Sequence, residues 1–186
     1  MIRKIRKDEA HLLYPFVFRI FSDMKFPLLE KVHGRDLKNI VVKAMENPHY
    51  RYGYEHAWVY EENGQILGAL FGYPGNLEDF VDGPLAFSLV EHGYPAMVIK
   101  EGKEALADEW LLDAIVVAPL FRDKGIANQL LGVTSNLAKE AGFSQIGVNC
   151  PVENHTFQHL LKKHGFNEKT RLLLRDIPFL HMTKKV

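Results

Sequence analysis

Apolar residues recur every three or four positions in several parts of the chain, and this spacing predicts amphipathic helices. The predicted helices cover residues 9–24, 36–46, 124–141 and 156–164, with a shorter one at 84–92. Pro15 lies inside the first segment and predicts a kink or a late start, because proline cannot donate a backbone hydrogen bond. Gly142 and Gly165 follow the last two of the longer helices, where glycine is a common C-terminal cap.

Alternating or continuous apolar runs between turn signals predict strands. The predicted strands cover residues 2–6, 57–62, 65–73, 109–117, 144–149, 170–174 and 179–184. Asn63-Gly64 predicts a tight hairpin turn, since both turn positions need positive φ. The predicted helix 124–141 connects two strands, and a strand, helix and strand of this length predict a parallel, right-handed unit.

Length and composition narrow the class of protein. The chain has 186 residues, so one domain over residues 1–186 is predicted. Its 23 basic and 23 acidic residues balance, and a zero net charge argues against a nucleic-acid partner. The sequence has no apolar run of about 18 residues, so no membrane association is expected. The basic N-terminus lacks the features of a signal peptide and Cys150 is a lone cysteine, so a cytoplasmic location is expected.

The segment from Val117 to Ala127 has the pattern of a strand end, a loop and a helix start. The first turn of such a helix presents unpaired backbone N–H groups and the positive end of its dipole, which favours an anion such as phosphate. Gly125 and Ala127 would let a pyrophosphate approach the backbone closely, while Arg122 and Lys124 would add positive charge. The alternative is a solvated basic turn without a ligand.

Two motifs in this region resemble signatures of one protein family. Arg122-x-x-Gly125-x-Ala127 resembles the acyl-coenzyme A motif of the GNAT superfamily of N-acetyltransferases, R/Q-x-x-G-x-G/A. Downstream, Asn154-x-x-Phe157-x-x-Leu160-Leu161-x-x-x-Gly165-Phe166 resembles the second signature of that superfamily, N-x-x-A-x-x-L-Y-x-x-x-G-F. The resemblance covers roughly residues 109–166.

The resemblance implies both a fold and an activity. The implied fold class is α/β (α+β), with a GNAT-type mixed, mostly antiparallel sheet whose central parallel strand pair is flanked by helices. The implied reaction transfers an acetyl group from acetyl-coenzyme A to a primary amine of a small molecule or peptide, by direct attack in a ternary complex. Acetyl-coenzyme A is then the cosubstrate, no metal is expected, and a homodimer is left open.

The resemblance also implies a set of cofactor contacts. In the family, pantetheine lies alongside the strand before the loop, and a backbone N–H of that strand faces the thioester carbonyl, where a hydrogen-bond donor stabilises the developing oxyanion. Asn154 is expected both to cap its helix and to contact pantetheine. The implied cofactor-binding residues are Ile115, Val116, Val117, Arg122, Asp123, Lys124, Gly125, Ile126, Ala127, Asn154 and Phe157.

Acetylation needs a neutral amine, so a base near the acceptor is expected. Glu109 and Asp113 are four residues apart on a predicted strand and therefore point to the same face. Members of the family have bases at both strand positions. We favour Asp113 because it interrupts an apolar run, where burial and the like charge of Glu109 would raise its pKa. The alternative is a carboxylate held in a structural ion pair or by loop hydrogen bonds.

Leu161 departs from the second signature, where many family members have a tyrosine that protonates the leaving thiolate. This departure keeps open a second function, a non-catalytic sensor or scaffold that binds acyl-coenzyme A. Cys150 is interpreted as a buried small hydrophobe rather than a nucleophile. His155 and His159 are interpreted as exposed helix residues rather than zinc ligands.

Neither motif identifies the acceptor. Residues 26–34 and 74–108 match no signature, and we expect them to form the acceptor site. Aromatic residues or histidine alternate at Tyr50, Tyr52, Tyr54, His56 and Trp58. These side chains would suit an acceptor site, but alternating aromatic residues are typical of strand packing, and we favour that interpretation.

Overall fold

The computed structural model describes residues 1–99 and 102–186. The strands within these residues are β1 (Ile2–Lys4), β2 (Ala57–Glu62), β3 (Gln65–Pro74), β4 (Trp110–Val117), β5 (Gln145–Pro151), β6 (Asn167–Leu174) and β7 (Ile177–Lys185). They form one sheet in the order β1-β2-β3-β4-β5-β7-β6. Only β4 and β5 are parallel, and every other neighbouring pair of these strands is antiparallel. The predicted fold class, a mostly antiparallel sheet with one central parallel pair, is confirmed.

Six α-helices flank the sheet within the described residues. They are α1 (Tyr14–Asp23), α2 (Leu28–Lys31), α3 (Gly34–Met45), α4 (Gly83–Glu91), α5 (Ile126–Glu140) and α6 (His155–Lys163). Pro15 lies in the first turn of α1, and a 3₁₀ helix over Lys7–Leu13 precedes it, so the late start is confirmed. The short α2 was not predicted, because four residues are too few to show a helical period.

Two hairpin turns have the left-handed backbone that tight turns require. Asn63 and Gly64 have φ of 51° and 75°, as predicted for the turn between β2 and β3. Between β6 and β7, Arg175 and Asp176 have φ of 51° and 61°. Ile177 already pairs with Leu174, so the predicted strand start at residue 179 is wrong by two residues.

Two layers of apolar side chains cover the two faces of the sheet. One layer packs α1, α3 and α4 against β2 and β3, with Phe21, Ile40 and Phe71 fully buried. The other packs α5 and α6 against β4 and β5, with Leu130 and Ile146 fully buried. No helix in the described parts of the chain is both long and apolar enough to cross a membrane. The strands β4 and β5 lie in the interior of the sheet between these two layers.

Candidate active site

The parallel strands β4 and β5 begin side by side and then diverge. Residues 110–112 pair with residues 146–148. Beyond this point β5 pairs with β7 as far as Pro151, while β4 pairs with β3 as far as Val117. The described strands therefore leave the edge of residues 113–117 that faces β5 without a strand partner. Such an edge offers backbone hydrogen-bonding groups to an extended ligand.

A β-bulge lies at the point of divergence, at Asp113. The register between β3 and β4 shifts there, so that Asp113 has no paired residue on β3. Leu112 and Ile115 both pack into the layer of α5 and α6, which regular alternation along a strand would not allow. Bulges of this kind redirect a side chain. Here the bulge turns the Asp113 carboxylate toward a cavity on the opposite face.

Three predicted cofactor contacts, Ile115, Val116 and Val117, lie on the diverging part of β4. Ile115 and Val117 pack their side chains against the layer of α5 and α6, and Val116 packs against the opposite layer. Their side chains are thus committed to packing, which leaves the backbone as the part able to bind a ligand. The predicted backbone role is compatible with this geometry and stays a prediction.

The loop before α5 has the features predicted for a phosphate site. Asp123 and Gly125 are left-handed, with φ of 62° and 78°, and Gly125 is the N-cap of α5 without any side-chain cap. Arg122 precedes Asp123, Lys124 precedes Gly125, and both side chains are exposed. Ile126 is 4% exposed, so it anchors the loop to the core and can offer only its backbone to a ligand. An uncapped helix start beside two cations suits a pyrophosphate.

Helix α6 places the remaining predicted contacts. The Asn154 side chain accepts a hydrogen bond from the backbone N–H of Phe157 at 3.0 Å, which confirms the predicted cap. Leu161 is fully buried in the core and has no proton to donate. His155 and His159 are exposed, as expected. The described residues contain no group of three or more histidine, cysteine or acidic side chains that could hold a metal ion.

A cavity of about 630 Å³ opens where β4 and β5 diverge. Its walls come from the end of α1, the β4 and β5 strands and the β6–β7 hairpin. The apolar lining residues are Ile20, Met24, Leu112, Pro151, Leu174, Ile177, Pro178 and Phe179. The polar ones are Asp23, Arg51, Tyr52, Glu104, Asp113, Asn149, Glu153 and Arg175. This volume is typical of a site for a small molecule.

A buried arginine organises the polar end of the cavity. Arg51 Nη2 lies 2.5 Å from Glu104 Oε2 and 3.7 Å from Asp113 Oδ1, and its Nε lies 3.3 Å from Asp82 Oδ1. Nη2 also donates a hydrogen bond to the Tyr73 hydroxyl at 2.8 Å. Three carboxyl groups thus surround one guanidinium, which can neutralise only one negative charge.

The environment of Asp113 suits a base at neutral pH. Burial raises its pKa from 3.8 to about 6, the positive charge of Arg51 opposes that rise, and the negative charge of Glu104 adds to it. The hydroxyl of Tyr52, a hydrogen-bond partner of this carboxyl, also lowers its pKa, while Oδ2 itself has no hydrogen bond of good geometry among the described residues. A group with a pKa near 6 is ionised at pH 7 and still accepts a proton readily. The predicted rise in the Asp113 pKa is confirmed in direction.

The prediction that Glu109 is the like charge that raises the Asp113 pKa is wrong. Glu109 is fully buried, does not line the cavity and is not among the charges that shift the Asp113 pKa. Its Oε1 accepts a hydrogen bond from the Leu106 N–H at 2.9 Å, and its Oε2 lies 3.2 Å from His181 Nε2. A Cβ on Gly147 would lie 2.3 Å from the Glu109 carboxylate, so this close packing requires glycine. Glu109 therefore holds strands together, and the like charges near Asp113 are those of Glu104 and Asp82.

Comparison with known proteins assigns the chain to a family. The sequence model described as the acetyltransferase (GNAT) family matches residues 17–166, which is most of the chain. The chain belongs to the GNAT family. Members of this family transfer an acetyl group from acetyl-coenzyme A. A search of proteins with curated descriptions finds no significant match.

Solved structures include GNAT relatives over the full length of the chain. A protein described as an acetyltransferase is 33% identical, with a TM-score of 0.92, over 100% of this chain and 99% of its own. An N-acetyltransferase from Staphylococcus aureus Mu50 is 24% identical, with a TM-score of 0.83, over 99% and 100% of the two chains. The NatB acetyltransferase complex, solved with coenzyme A and MES, is 17% identical with a TM-score of 0.55, over 100% and 99%. The last two show the fold alone.

Several cavity residues of this GNAT protein were missed from the sequence. The α1 end, Arg51 and the β6–β7 hairpin belong to no signature, and among the described residues of the expected segments 26–34 and 74–108 only Glu104 lines the cavity. Residues 100 and 101 of the second segment lie outside the described residues. The strand interpretation of the aromatic run is also wrong. Of its five residues only Trp58 lies in a strand, β2, whereas Tyr54–His56 form a 3₁₀ helix. The signal available in the sequence was Arg51, a charged residue between the aromatic residues Tyr50 and Tyr52.

Proposed function

We propose that this protein is an N-acetyltransferase that transfers the acetyl group of acetyl-coenzyme A to a primary amine of a small molecule or peptide, by direct attack in a ternary complex. The observation that carries the proposal is the position of Asp113. Its carboxylate lies at the divergence of β4 and β5 and also lines the acceptor-sized cavity. The Asp113 carboxylate could thus deprotonate an acceptor amine in the cavity while a thioester lies beside it along β4.

Two parts of the site would bind acetyl-coenzyme A. The open edge of β4 at Ile115 to Val117 would hold the pantetheine arm, and the helix start at Gly125 with Arg122 and Lys124 would hold the pyrophosphate. Acetyl-coenzyme A supplies the thioester whose carbonyl carbon the amine attacks.

Asp113 provides the base. As a carboxylate it accepts a proton from the incoming ammonium, and the neutral amine that remains has the lone pair needed for attack. Arg51 keeps the carboxylate ionised at neutral pH in spite of burial, because its positive charge opposes the desolvation that raises the Asp113 pKa.

A second candidate is a sensor or scaffold that binds acyl-coenzyme A without turnover. Leu161 favours it, because a fully buried leucine stands where a proton donor is common in the family. The thiolate of coenzyme A is a tolerable leaving group, however, and water can carry to it the proton that the attacking nitrogen loses as the amide forms. The acid is therefore dispensable, while the base at Asp113 is present.

Thiol release separates the two candidates. Purified protein is incubated with acetyl-coenzyme A and a panel of primary amines, including amino acids, polyamines, aminoglycosides and short peptides. Free thiol and the acetylated amine are then measured together by absorbance and mass spectrometry. We expect equal amounts of both products with at least one primary amine and none with the matching tertiary amine. Coenzyme A binding in calorimetry without thiol release on any acceptor would instead establish the sensor.

A further inference from the structure

A line of hydrogen bonds and ion pairs runs from β7 to the polar end of the cavity. It starts at Glu109, whose Oε2 lies 3.2 Å from Nε2 of His181 on β7. His181 Nδ1 lies 2.7 Å from Oδ1 of Asn149, the residue opposite it on β5. Asn149 donates its amide N–H to the backbone carbonyl of Glu104 at 2.8 Å, and the Glu104 carboxylate contacts Arg51. We call these five residues the His181 network.

The Asn149 amide has one orientation that satisfies this network. Its N–H must face the Glu104 carbonyl, because two acceptor oxygens in contact would repel each other. Its Oδ1 then faces His181, so His181 must donate from Nδ1. On the other side of the ring a proton must lie between Nε2 and Glu109 Oε2, since a lone pair facing a buried carboxylate is costly. The direction of each hydrogen bond is therefore fixed by the atoms that it joins.

Burial makes His181 necessary to this arrangement. His181 and Glu109 are 2% and 0% exposed, so water cannot replace either partner. Asn149, by contrast, is half-buried and lines the cavity. Without His181, the Asn149 amide would lose the bond that fixes its rotation and could turn its N–H away from Glu104.

Glu104 carries the effect of the network to the base. Its backbone N–H donates to Glu78 Oε1, and its carbonyl accepts from Asn149. Its carboxylate lies 2.5 Å from Arg51 Nη2, the same nitrogen that lies 3.7 Å from Asp113 Oδ1. Two carboxylates thus share one guanidinium nitrogen. The position of Glu104 therefore decides how much of the Arg51 charge acts on Asp113.

From these contacts we infer that His181 is a positioning residue for acetyl transfer. It holds Asn149, and through Asn149 it holds the Glu104 carboxylate where that group competes with Asp113 for Arg51. This inference rests on the proposed acetyl transfer with Asp113 as its base. Glu109, which does not line the cavity, takes part by fixing the second nitrogen of His181.

The groups around Asp113 give the direction of the expected effect. The charged groups are Arg51, Asp82 and Glu104, and the titratable hydroxyls are those of Tyr50, Tyr52 and Tyr73. Burial raises the Asp113 pKa most, Arg51 lowers it, and Glu104 raises it. Displacement of Glu104 should therefore lower the Asp113 pKa. A carboxylate of lower pKa is a weaker base, so turnover should fall as well.

His181→Phe tests the inference, because phenylalanine also has a planar ring but makes neither hydrogen bond. Thiol release is measured across the pH range with the most active amine of the panel, and the midpoint of the acidic limb of kcat/KM reports the base of the free enzyme. We expect this midpoint to fall by at least about 0.5 pH unit and kcat to fall about threefold or more. If His181→Phe fails to fold, Asn149→Ala breaks the same link at a half-buried position and should shift the midpoint in the same direction.

Glu109→Gln is the conservative variant of the network. Its Oε1 still accepts from the Leu106 N–H, and its amide can donate to Nε2 of a neutral His181 that keeps the Nδ1 proton. Every hydrogen bond of His181 is then retained, so the midpoint should stay at the wild-type value. Met182→Ala controls for lost packing, because Met182 follows His181 on β7 and is fully buried in the core. It should lower stability and leave the midpoint unchanged.

A double variant tests whether the effect passes through Glu104. Glu104→Gln already removes the carboxylate charge, so adding His181→Phe to it should move the midpoint no further. The inference is overturned, while acetyl transfer stands, by a wild-type midpoint in folded His181→Phe or Asn149→Ala. A full additional shift in the Glu104→Gln background, or an equal shift in Met182→Ala, overturns it too. Absence of thiol release with every amine, in protein that binds coenzyme A, contradicts the proposed function and the inference with it.

Discussion

Replacing Asp113 by asparagine should make the enzyme slower and, at alkaline pH, more stable. The rise in the Asp113 pKa from 3.8 to about 6 corresponds to about 3 kcal/mol, at about 1.4 kcal/mol per pH unit. The folded protein binds the Asp113 proton more tightly than the unfolded chain does, because burial raises the pKa in the folded state. The free energy of unfolding is therefore highest below pH 3.8, where both states are protonated, and falls as the pH rises to about 6 and the folded carboxyl ionises. The folded protein therefore carries a cost of up to about 3 kcal/mol above pH 7. Asparagine keeps the shape and removes that cost.

The Arg51 contacts set the limits of this gain. The variant loses one carboxylate at 3.7 Å from Arg51 but keeps Glu104 and Asp82 near the guanidinium. We therefore expect the free energy of unfolding to rise by about 1 to 3 kcal/mol at pH 8, and by less at pH 5, where the wild-type carboxyl is largely protonated. Urea denaturation at both pH values measures the difference between variant and wild type.

Turnover should change in the opposite direction. We expect thiol release to fall by about 10²-fold or more, the usual contribution of a general base, with coenzyme A affinity unchanged. Part of the loss should be recovered at higher pH, where more of the amine is already neutral. Asp8→Asn, which makes the same chemical change at a side chain that is 75% exposed, is the control. Unchanged turnover would refute the assignment of the base, and a variant less stable than wild type at pH 8 would refute the electrostatic reasoning.

Three further predictions concern the cofactor site and the lone cysteine. Ala127→Glu adds a negative charge to the first turn of α5, which favours the helix but repels a pyrophosphate. Calorimetry should therefore show at least tenfold weaker coenzyme A binding, while the melting temperature stays unchanged. This is a cleaner test than a change at Gly125, whose φ of 78° would strain any other residue. Asn154→Ala removes the hydrogen bond from the Phe157 N–H and should lower the free energy of unfolding in urea by about 1 kcal/mol. It should also weaken coenzyme A binding, and unchanged affinity would show that Asn154 acts only as a helix cap. Cys150 is buried and burial raises its pKa to about 11, so Cys150→Ala should keep thiol release near the wild-type rate. A variant that no longer releases thiol would point to a covalent mechanism.

The sequence by itself determined the elements that depend on neighbours along the chain. Helical spacing located the long helices, and the Asn63-Gly64 pair located a turn whose positive φ the structure shows. Asn154 was correctly predicted as a cap, since a cap bonds to a backbone N–H three residues away. The loop around Gly125 could be predicted for the same reason, because its chemistry is that of a single helix start.

Only the tertiary structure decided the acceptor end of the site. Arg51, Asp82, Glu104 and Asp113 come from separate segments and meet through a bulge that shifts the register of β4. Glu109 shares a strand region with Asp113 in sequence, yet it pairs with a histidine 72 positions away. Charges and desolvation act through space, so the pKa of a carboxylate depends on which distant groups folding brings within a few ångströms, and the order of residues along one strand does not contain that information.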